Sequence, residues 1–284
     1  MKRRDFIIKG GSALSLALLS GRAMANMPVG TVENYGCQLY SVRDLMPKDA
    51  KGTMTKLAKM GYALFESYGK DPFWGMSPTE CKTFLGDLGV RMVSTHMGMD
   101  GITDDMAAKA AEAGLEYMLC PYIGMQPNMD AWKKVADRFN DAGDICNKHG
   151  IKFGYHNHSY SFAFVSGLKG QKVLLDNTDP SKVCFELDMC WSEAAGENSM
   201  VHLKEFGSRY ELCHVKQLVK IEPVGSKKRP KQTDLADGVI DYAKLLRVAM
   251  DNGMKYYLVE QEQYPVDSIT SMGNDADFME QLVF

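Results

Sequence analysis

The sequence predicts a single-domain α/β protein with the (β/α)8 architecture of a TIM barrel. Eight short apolar runs with strand-like composition alternate with helix-like segments. Helix-like segments end on a glycine before the next apolar run at Gly61, Gly89, Gly114 and Gly150, and Gly253 makes a fifth case. About 255 residues carry this pattern, which is close to the ~250 residues typical of the fold. Strands that alternate with helices build parallel sheet from βαβ units.

The predicted elements follow one another without a linker. The strand-like runs are 35–40, 62–68, 90–96, 115–121, 151–158, 182–188, 210–216 and 255–262, and the helical patterns are 49–61, 77–89, 103–114, 129–150 and 238–253. The second helical pattern begins with Ser77 and Pro78 and has Glu80 three residues after Ser77, which is the spacing of a capping box. An open doubly wound sheet is the alternative. It is disfavoured because the turn after the first run reads LYSVRD and lacks G-x-G-x-x-G.

The first 25 residues have the features of a cleavable secretory signal, which leaves 26–284 as the barrel domain. A basic start is followed by a short uncharged apolar run at 11–21 and by the small-x-small pattern AMA. The paired arginines Arg3 and Arg4, directly before Asp-Phe, indicate the twin-arginine type. The apolar run is too short to span a bilayer. The sequence therefore predicts an exported, periplasmic protein with no membrane anchor after cleavage.

Composition argues against a nucleic-acid partner. The chain has a net charge of −3, and residues 1–25 contain five Lys or Arg and one Asp, so the remainder is more acidic still. Nucleic-acid binders need a basic patch, and the one dense basic run, 225–231, contains Gly and Pro and indicates a solvated loop. Contact with a phosphate or an acidic sugar is the alternative for that loop. The seven cysteines lie mostly in apolar runs, which is typical of buried hydrophobic residues rather than a disulfide framework.

Polar side chains gather at the ends of the strand-like runs, where barrel enzymes place their reacting groups. They are Tyr40, Arg43, Glu66, His96, Tyr122, His156, Asn157, His158, Glu186, Asp188, His214, Lys216, Glu260 and Glu262. Strand alternation places the two members of each i, i+2 pair on the same face. Carboxylates and imidazoles would then converge on the barrel mouth, a ligand mixture that suits one divalent ion such as Mn²⁺, Mg²⁺, Co²⁺ or Zn²⁺.

Several motifs, in this order, resemble those of the xylose-isomerase-like barrels, the sugar phosphate isomerase/epimerase group. They are YHNH at 155–158, ELDMCW with AAG at 186–196, HVK at 214–216, TDLADGVIDY at 233–242 and YLVEQEQ at 257–263. The resemblance covers residues 33–270. It implies one divalent metal ion bound by the side chains of His156, Asp188, His214 and Glu260.

The sequence also departs from the pattern of that family. His156 stands where many epimerases have a catalytic glutamate. Relatives with YHNH usually continue with Asp-Phe-Glu-Phe, whereas this chain continues with Ser159-Tyr160-Ser161-Phe162. Two acidic side chains are therefore missing near the expected site, and a proton transfer between two glutamates does not carry over to this chain.

The resemblance predicts a metal-dependent sugar isomerase or epimerase that abstracts a proton next to a carbonyl group and forms an enediolate. The candidate general bases are Glu260, His156 and His158. The candidate substrate-binding residues are Glu66, His96, Asn157, Trp191, Lys216 and Glu262. The expected partner is a small-molecule carbohydrate, and assembly into a homo-oligomer stays open.

Two other functions remain open at this point. Expulsion of a β-leaving group after the same first step would make the protein a lyase or hydratase of a keto-sugar glycoside. Export favours this reading, because sugar phosphates are scarce outside the cytoplasm. A sugar-binding barrel without chemistry is the second alternative, although Asp188 and Glu260 are both present. A DNA-repair nuclease of the same fold is disfavoured by the acidic charge and by too few histidines for a three-metal cluster.

Overall fold

Eight parallel strands close into a barrel, which confirms the predicted fold class. The computed structural model describes residues 31–32, 35–223, 226 and 228–283, so the predicted export signal at 1–25 lies outside the described residues. Each strand pairs with its neighbours in chain order, and the last strand pairs with the first. The strands are β1 (Tyr35–Gln38), β2 (Leu64–Tyr68), β3 (Arg91–His96), β4 (Tyr117–Cys120), β5 (Lys152–His156), β6 (Val183–Asp188), β7 (Tyr210–Val215) and β8 (Tyr256–Val259).

Helices surround this barrel. They are α1 (Ala50–Lys59), α2 (Pro78–Asp87), α3 (Asp104–Ala113), α4 (Met129–Asn147), α5 (Gly170–Asn177), α6 (Met189–Ala194), α7 (Ser199–Phe206), α8 (Tyr242–Asp251) and α9 (Ser268–Gln281). The five predicted helical patterns correspond to α1–α4 and α8. The segments α5–α7 have at most eight residues, which is too short for a 3.6-residue period to stand out. In the described part of the chain, no helix has the length and apolarity needed to cross a membrane.

Two short antiparallel ribbons extend the loops after β5 and β7. They pair Phe164–Val165 with Leu168–Lys169 and Gln217–Leu218 with Gln232–Thr233. Both ribbons follow the carboxyl ends of their strands. They therefore belong to the face of the barrel that carries the candidate site.

The helix boundaries follow the capping chemistry that the sequence predicts. Ser77 Oγ accepts a hydrogen bond from the backbone N–H of Glu80, and the Glu80 carboxylate accepts one from the backbone N–H of Ser77. All five glycines predicted at helix ends have positive φ, from +73° at Gly150 to +107° at Gly61. A residue with a Cβ would be strained in this conformation, so these glycines fix where each helix stops and the next strand begins.

The core has two parts, and strand alternation separates them. One large cluster fills the space between the barrel and its helices. A second, smaller cluster fills the barrel interior and consists of Leu64, Val93, Tyr117, Leu119, Cys184, Leu212, Tyr256 and Leu258. Residues two or four positions further along several of these strands are the polar side chains of the candidate site. All seven cysteines are buried and free, as the sequence predicts.

Hydrogen-bonded tyrosines and charges close the amino-terminal end of the barrel. The Tyr117 hydroxyl donates to Glu211 at 2.8 Å, and the Tyr256 hydroxyl donates to Glu116 at 2.7 Å. Arg91 pairs with Glu116 at 2.5 Å. Since the inner apolar cluster lies directly above this network, access to the polar residues of the interior is from the carboxyl end of the strands.

Five strands, β1, β4, β5, β7 and β8, end earlier than the sequence predicts, and the last three bear on the candidate site. β5 ends at His156, β7 at Val215 and β8 at Val259. His158 and Lys216 therefore lie in loops that leave the strands, and so do Glu260 and Glu262. A polar residue just beyond a strand keeps the alternating pattern in the sequence, so the pattern alone does not mark the boundary.

Gly154, in the middle of β5, offers a test of the packing inside the barrel. A Cβ at this position would lie 2.4 Å from a Leu119 methyl carbon and 3.0 Å from the Cys184 sulfur. We expect Gly154→Val to lower the free energy of unfolding by about 1–3 kcal/mol, because it overpacks a filled interior. Urea unfolding measures this value. The control is Gly86→Ala on exposed α2, where a Cβ meets nothing within 4 Å, and unchanged stability of Gly154→Val would contradict this description of the interior.

Candidate metal and active site

Four side chains, three from the ends of neighbouring strands and one from the loop directly after β8, converge at the carboxyl end of the barrel. His156 Nε2 lies 3.9 Å and His214 Nδ1 lies 3.8 Å from Asp188 Oδ2. His214 Nδ1 also lies 3.0 Å from Glu260 Oε2. Ligand atoms of Asp188, His214 and Glu260 all lie within 4.8 Å of one another, and all three residues are buried. The structure thus brings together the four residues predicted to bind a metal ion.

A deeper group of carboxylates holds the other nitrogens of the two histidines. Glu186 Oε2 lies 3.0 Å from His156 Nδ1, and Glu66 Oε1 lies 2.7 Å from His214 Nε2. Both glutamates are completely buried. His96 Nε2 joins this group, at 2.7 Å from Glu186 and 3.0 Å from Glu66. A carboxylate behind a ligand histidine fixes the orientation of the ring and makes the outward nitrogen a better donor to a metal ion.

The separations distinguish the two groups. Four atoms arranged as a tetrahedron at ~2.0–2.2 Å from one ion stand about 3.3–3.6 Å apart. The separations around Asp188 Oδ2 and His214 Nδ1, 3.0–3.9 Å, bracket that value. The closest contacts of the deeper group, 2.7 Å, are ordinary hydrogen bonds. Ligand-type atoms of His96, His156, Glu186 and His214 also lie within 4.8 Å of one another. Because their closest contacts are hydrogen bonds, the upper group is the better candidate for an ion.

Lys216 supplies a cation at the upper group. Its ammonium nitrogen lies 2.9 Å from Asp188 Oδ2 and contacts the carboxylate of Glu260. It also donates to Glu262 Oε1 at 2.9 Å. Asp188 Oδ2 is buried and accepts no hydrogen bond of good geometry. A buried carboxylate oxygen with two imidazole nitrogens facing it is a donor set that fits a divalent ion, and the Lys216 ammonium competes with such an ion for the carboxylates of Asp188 and Glu260.

Burial and neighbouring charges shift the pKa values of the deeper acids and histidines. Burial acts against the ionised form of Glu66, yet His96 and His214 outweigh it and hold the pKa of Glu66 below its usual range. Burial, together with the neighbouring Glu66, raises the pKa of Glu186 to about 7. Burial would lower the pKa of His96, but Glu66 and Glu186 raise it to about 9. In the metal-free protein the deeper group therefore shares its protons among buried carboxylates and imidazoles.

The backbone around Asp188 fixes the direction of its side chain. Asp188 is the N-cap of α6, and its Oδ1 accepts a hydrogen bond from the backbone N–H of Trp191 at 2.7 Å. The amide of Asn157 holds the Asp188 backbone, since it donates to the carbonyl oxygen at 3.1 Å and accepts from the N–H at 3.0 Å. With Oδ1 committed to the helix, Oδ2 is the oxygen that faces the histidines.

A cavity of about 330 Å³ opens above the four converging side chains. Its lining includes His96, His156, His158, Glu260 and Glu262, all of which the sequence predicts as site residues. Aromatic rings form much of the rest of the wall, from Tyr40, Tyr68 and Tyr122. Mixed aromatic and polar walls of this size are typical of small-molecule sites.

His158 faces this cavity from the loop after β5. Its ring lies between those of Tyr160 and Trp191, with centroid distances of 5.8 and 5.5 Å. Its Nδ1 is buried and has no hydrogen-bond partner. Burial, followed by the charge of Lys216, lowers the pKa of His158 to about 4. The ring is consequently neutral near pH 7.

Four predicted substrate-binding residues do not line the cavity. Glu66 lies beneath it, and the Asn157 amide is engaged with the Asp188 backbone. Trp191 is 9% exposed and packs against His158 and the Lys216 ammonium. Lys216 is fully buried among three carboxylates. Each of them is placed to position a neighbour, and their contact with a substrate stays a prediction.

The sequence predicts no specific role for Glu186, although its i, i+2 spacing places it on the same face as Asp188. The structure places Glu186 one inward position deeper, where it contacts His96, His156 and His214. The signal was present in the i, i+2 spacing of two acids on one strand. Depth along the barrel axis decides which acid faces the cavity, and the spacing alone does not give that depth.

The fold and the site together define a (β/α)8 barrel with a buried His/Asp/Glu cluster suited to one metal ion. The chain belongs to the xylose isomerase-like TIM barrel family, whose family model matches residues 54–282. The resemblance predicted from the motifs is thereby confirmed at the level of the family. Nothing in this match tests the twin-arginine signal, which stays a prediction.

Among curated proteins, the chain is similar to inosose dehydratase of Clostridium perfringens, with 31% identity over 198 residues. The match covers 66% of this chain and 62% of the relative, so the chain spans about three fifths of its length. Among solved structures, it is similar to a sugar phosphate isomerase/epimerase from Parabacteroides distasonis. The identity is 25%, the TM-score is 0.75, and 94% of this chain and 99% of that chain are covered.

A structure of the IolI protein with a bound zinc atom has the same fold. Its TM-score is 0.72 at 13% identity, with 88% of this chain and 98% of that chain covered. At this identity the likeness concerns the fold alone. The case for a metal ion in this chain therefore rests on its own side chains.

Glu186→Gln tests the deeper group. We expect it to weaken divalent-metal affinity by about 10–100-fold, because His156 loses the carboxylate that orients its ring. Competition titration with a chromogenic chelator gives the affinity, and circular dichroism monitors the fold. Glu112→Gln, on exposed α3, is the matched control and should bind as the wild type does. Wild-type affinity in Glu186→Gln would rule out the orienting role.

Proposed function

We propose that the protein is a divalent-metal-dependent enzyme that removes the proton next to a carbonyl group of a sugar, and that it works as an isomerase or epimerase. One observation carries the proposal. Asp188, His214 and Glu260 bring ligand-type atoms within 4.8 Å of one another below an open cavity, and His156 Nε2 faces Asp188 Oδ2 at 3.9 Å. A divalent ion bound there supplies Lewis-acid chemistry towards a carbonyl oxygen and its neighbouring hydroxyl.

His158 is the general base that the geometry favours. His156 uses Nδ1 for a hydrogen bond with Glu186, and its Nε2 is the proposed metal ligand that faces Asp188. Glu260 is held by His214 and Lys216. The side chain of His158 lines the cavity. A base must reach the proton that it abstracts, and of the three predicted candidates His158 alone is free of the metal cluster.

The remaining residues of the cavity bind and shield the sugar. Glu262 lines the wall and is held by Lys216 and by the side chain of Gln232, which accepts from the Glu262 backbone N–H. A carboxylate fixed in this way can accept hydrogen bonds from sugar hydroxyls. Tyr40 and Tyr68, whose rings meet edge to face at 5.1 Å, offer an apolar wall to a sugar face.

Elimination is the second candidate. Several curated relatives, from 24% to 31% identical, are inosose dehydratases, and a dehydratase expels a leaving group after removal of the neighbouring proton. The site described here would serve that reaction with the same base and the same metal ligands. A keto-sugar glycoside would then lose its aglycone. The export predicted from residues 1–25 favours such an unphosphorylated substrate.

Metal content and proton exchange test the proposal together. We expect purified protein to bind about one divalent ion, with ligand types suited to Zn²⁺, Mn²⁺ or Co²⁺. NMR of keto-sugars and keto-glycosides in D₂O should then show deuterium entering the carbon next to the carbonyl. Deuterium without loss of a substituent identifies an isomerase or epimerase. An unsaturated product or a released aglycone identifies a lyase.

Chelation and one variant make that experiment decisive. Removal of the ion with EDTA should stop exchange, and readdition should restore it. Asp188→Asn removes the carboxylate whose Oδ2 faces both His156 and His214, and it should abolish metal binding and exchange together. Metal-free protein with no affinity for divalent ions, and with no exchange on any sugar, would leave the sugar-binding barrel as the remaining interpretation.

His158→Gln separates the base from the metal site. We expect deuterium exchange to fall about 10²–10⁴-fold, the usual contribution of a general base, with the metal stoichiometry unchanged. His149→Gln, a substitution of a histidine that pairs with Asp104 away from the cavity, is the matched control. Exchange at the wild-type rate in His158→Gln would assign the base to another residue.

A further inference from the structure

A second, larger cavity adjoins the one above the metal cluster. It has a volume of about 850 Å³ and lies among the loops that follow β2, β3 and β4. We call it the side cavity. Gly69, Gly98 and Tyr122 line both cavities, so the two form one continuous cleft. The shared boundary has two residues without a side chain and one tyrosine that is 63% exposed.

Gly98 is not required by the local backbone or by packing. Its φ of −61° and ψ of 152° are extended values that any residue adopts. A Cβ there would meet no atom within 4 Å. Gly101 differs, since a Cβ there would lie 2.5 Å from the Met97 side chain. The glycine at 98 therefore keeps the passage between the two cavities open.

The lining of the side cavity is amphipathic. Met97, Met99 and Met106 contribute thioethers, which adapt to irregular ligand shapes. Lys70 and Arg138 contribute exposed charged groups, and no ion pair is formed by either one within the part of the chain that the structure describes. Apolar walls with a few polar groups suit a ring that has apolar faces and a polar edge.

We propose that the side cavity binds the second ring of a two-ring substrate, while the oxidised sugar ring lies above the metal cluster. The substrate class is then a keto-sugar joined to another sugar or to an aromatic aglycone. This inference rests on the proposed function, because it assumes that the reacting ring occupies the smaller cavity. The volume of about 330 Å³ there is near the lower end of ligand sites, ~300–1,000 Å³.

A ring is a better occupant than a phosphate group. A phosphate site needs several donors that converge on one point, as backbone N–H groups or arginine pairs do. Lys70 and Arg138 are exposed, and the acidic Asp100 lines the same cavity. The three methionines have no role in a phosphate site, whereas they fit the face of a ring.

The experiment compares glycosides of one keto-glucose that differ in their second group with a phosphorylated sugar that has one ring. The probes are the methyl glycoside, the phenyl glycoside, the corresponding glucose disaccharide, and fructose 6-phosphate as a one-ring phosphate. Two variants narrow the side cavity, Gly98→Leu at the passage and Asp100→Trp inside it. Gly86→Leu is the control, because this glycine lies on exposed α2 and a Cβ there meets nothing within 4 Å.

The measured quantity is the kcat/KM for a two-ring form divided by the kcat/KM for the methyl glycoside. We expect both variants to lower this ratio by about tenfold or more. Gly86→Leu should leave the ratio unchanged. Calorimetric binding of the phenyl and methyl glycosides should show the same loss of preference. Equal effects on one-ring and two-ring forms would overturn the inference, and so would a loss confined to fructose 6-phosphate.

The two readouts keep this inference separate from the proposed function. Absence of deuterium exchange with every probe in the wild type counts against the proposed function. Calorimetry then still tests whether the side cavity binds the second ring. It measures whether the tighter binding of the phenyl glycoside over the methyl glycoside depends on Gly98 and Asp100. Independence from both residues overturns the inference whether or not the enzyme turns over.

Discussion

Burial of carboxylates at the barrel mouth is the constraint on which the whole site depends. Glu66, Glu186 and Asp188 are fully buried, and an uncompensated charge in such a place costs several kcal/mol. The imidazole rings of His96 and His214 and the ammonium of Lys216 lie between these acids and compensate them. Because every charge needs its neighbour, no side chain of the cluster turns independently, and the ligand atoms are held in position before any ion or substrate arrives.

Strand alternation produces this arrangement with little extra sequence information. On β6 the inward residues run from Cys184 in the apolar interior to Glu186 and then Asp188 at the mouth. β7 repeats the order with Leu212 followed by His214. On both strands the inward residues change from apolar to polar towards the mouth, and the change comes one inward position earlier on β6, where Glu186 pairs with Leu212. The barrel stacks a hydrophobic layer, a hydrogen-bonded layer and a ligand layer above one another.

The sequence predicted the features that depend on local chemistry, such as helix ends and strand alternation. It did not predict features that depend on the depth of a residue along the barrel axis or on the conformation of loops. Glycines with positive φ and alternating strands were predictable, and the four candidate ligands could be proposed from their motifs. The role of Glu186 in orienting His156 was not predictable. Its depth along the barrel axis depends on a register shift beside Phe185 and on the tilt of the strands. The clamp of Asn157 on the Asp188 backbone joins two strands far apart in the chain. The side cavity arises from three loops, and periodicity carries no information about loops.

The closed amino-terminal end of the barrel has a consequence for the order of events. Tyr117 with Glu211 and Tyr256 with Glu116 seal that end below the apolar interior. If the proposed function holds, ion, substrate and product all travel through one entrance. A bound sugar would then cover the ion beneath it, so the ion would load first and stay until the sugar has gone. A single-ended chamber of this kind would make turnover sequential and would couple retention of the ion to occupancy by the substrate.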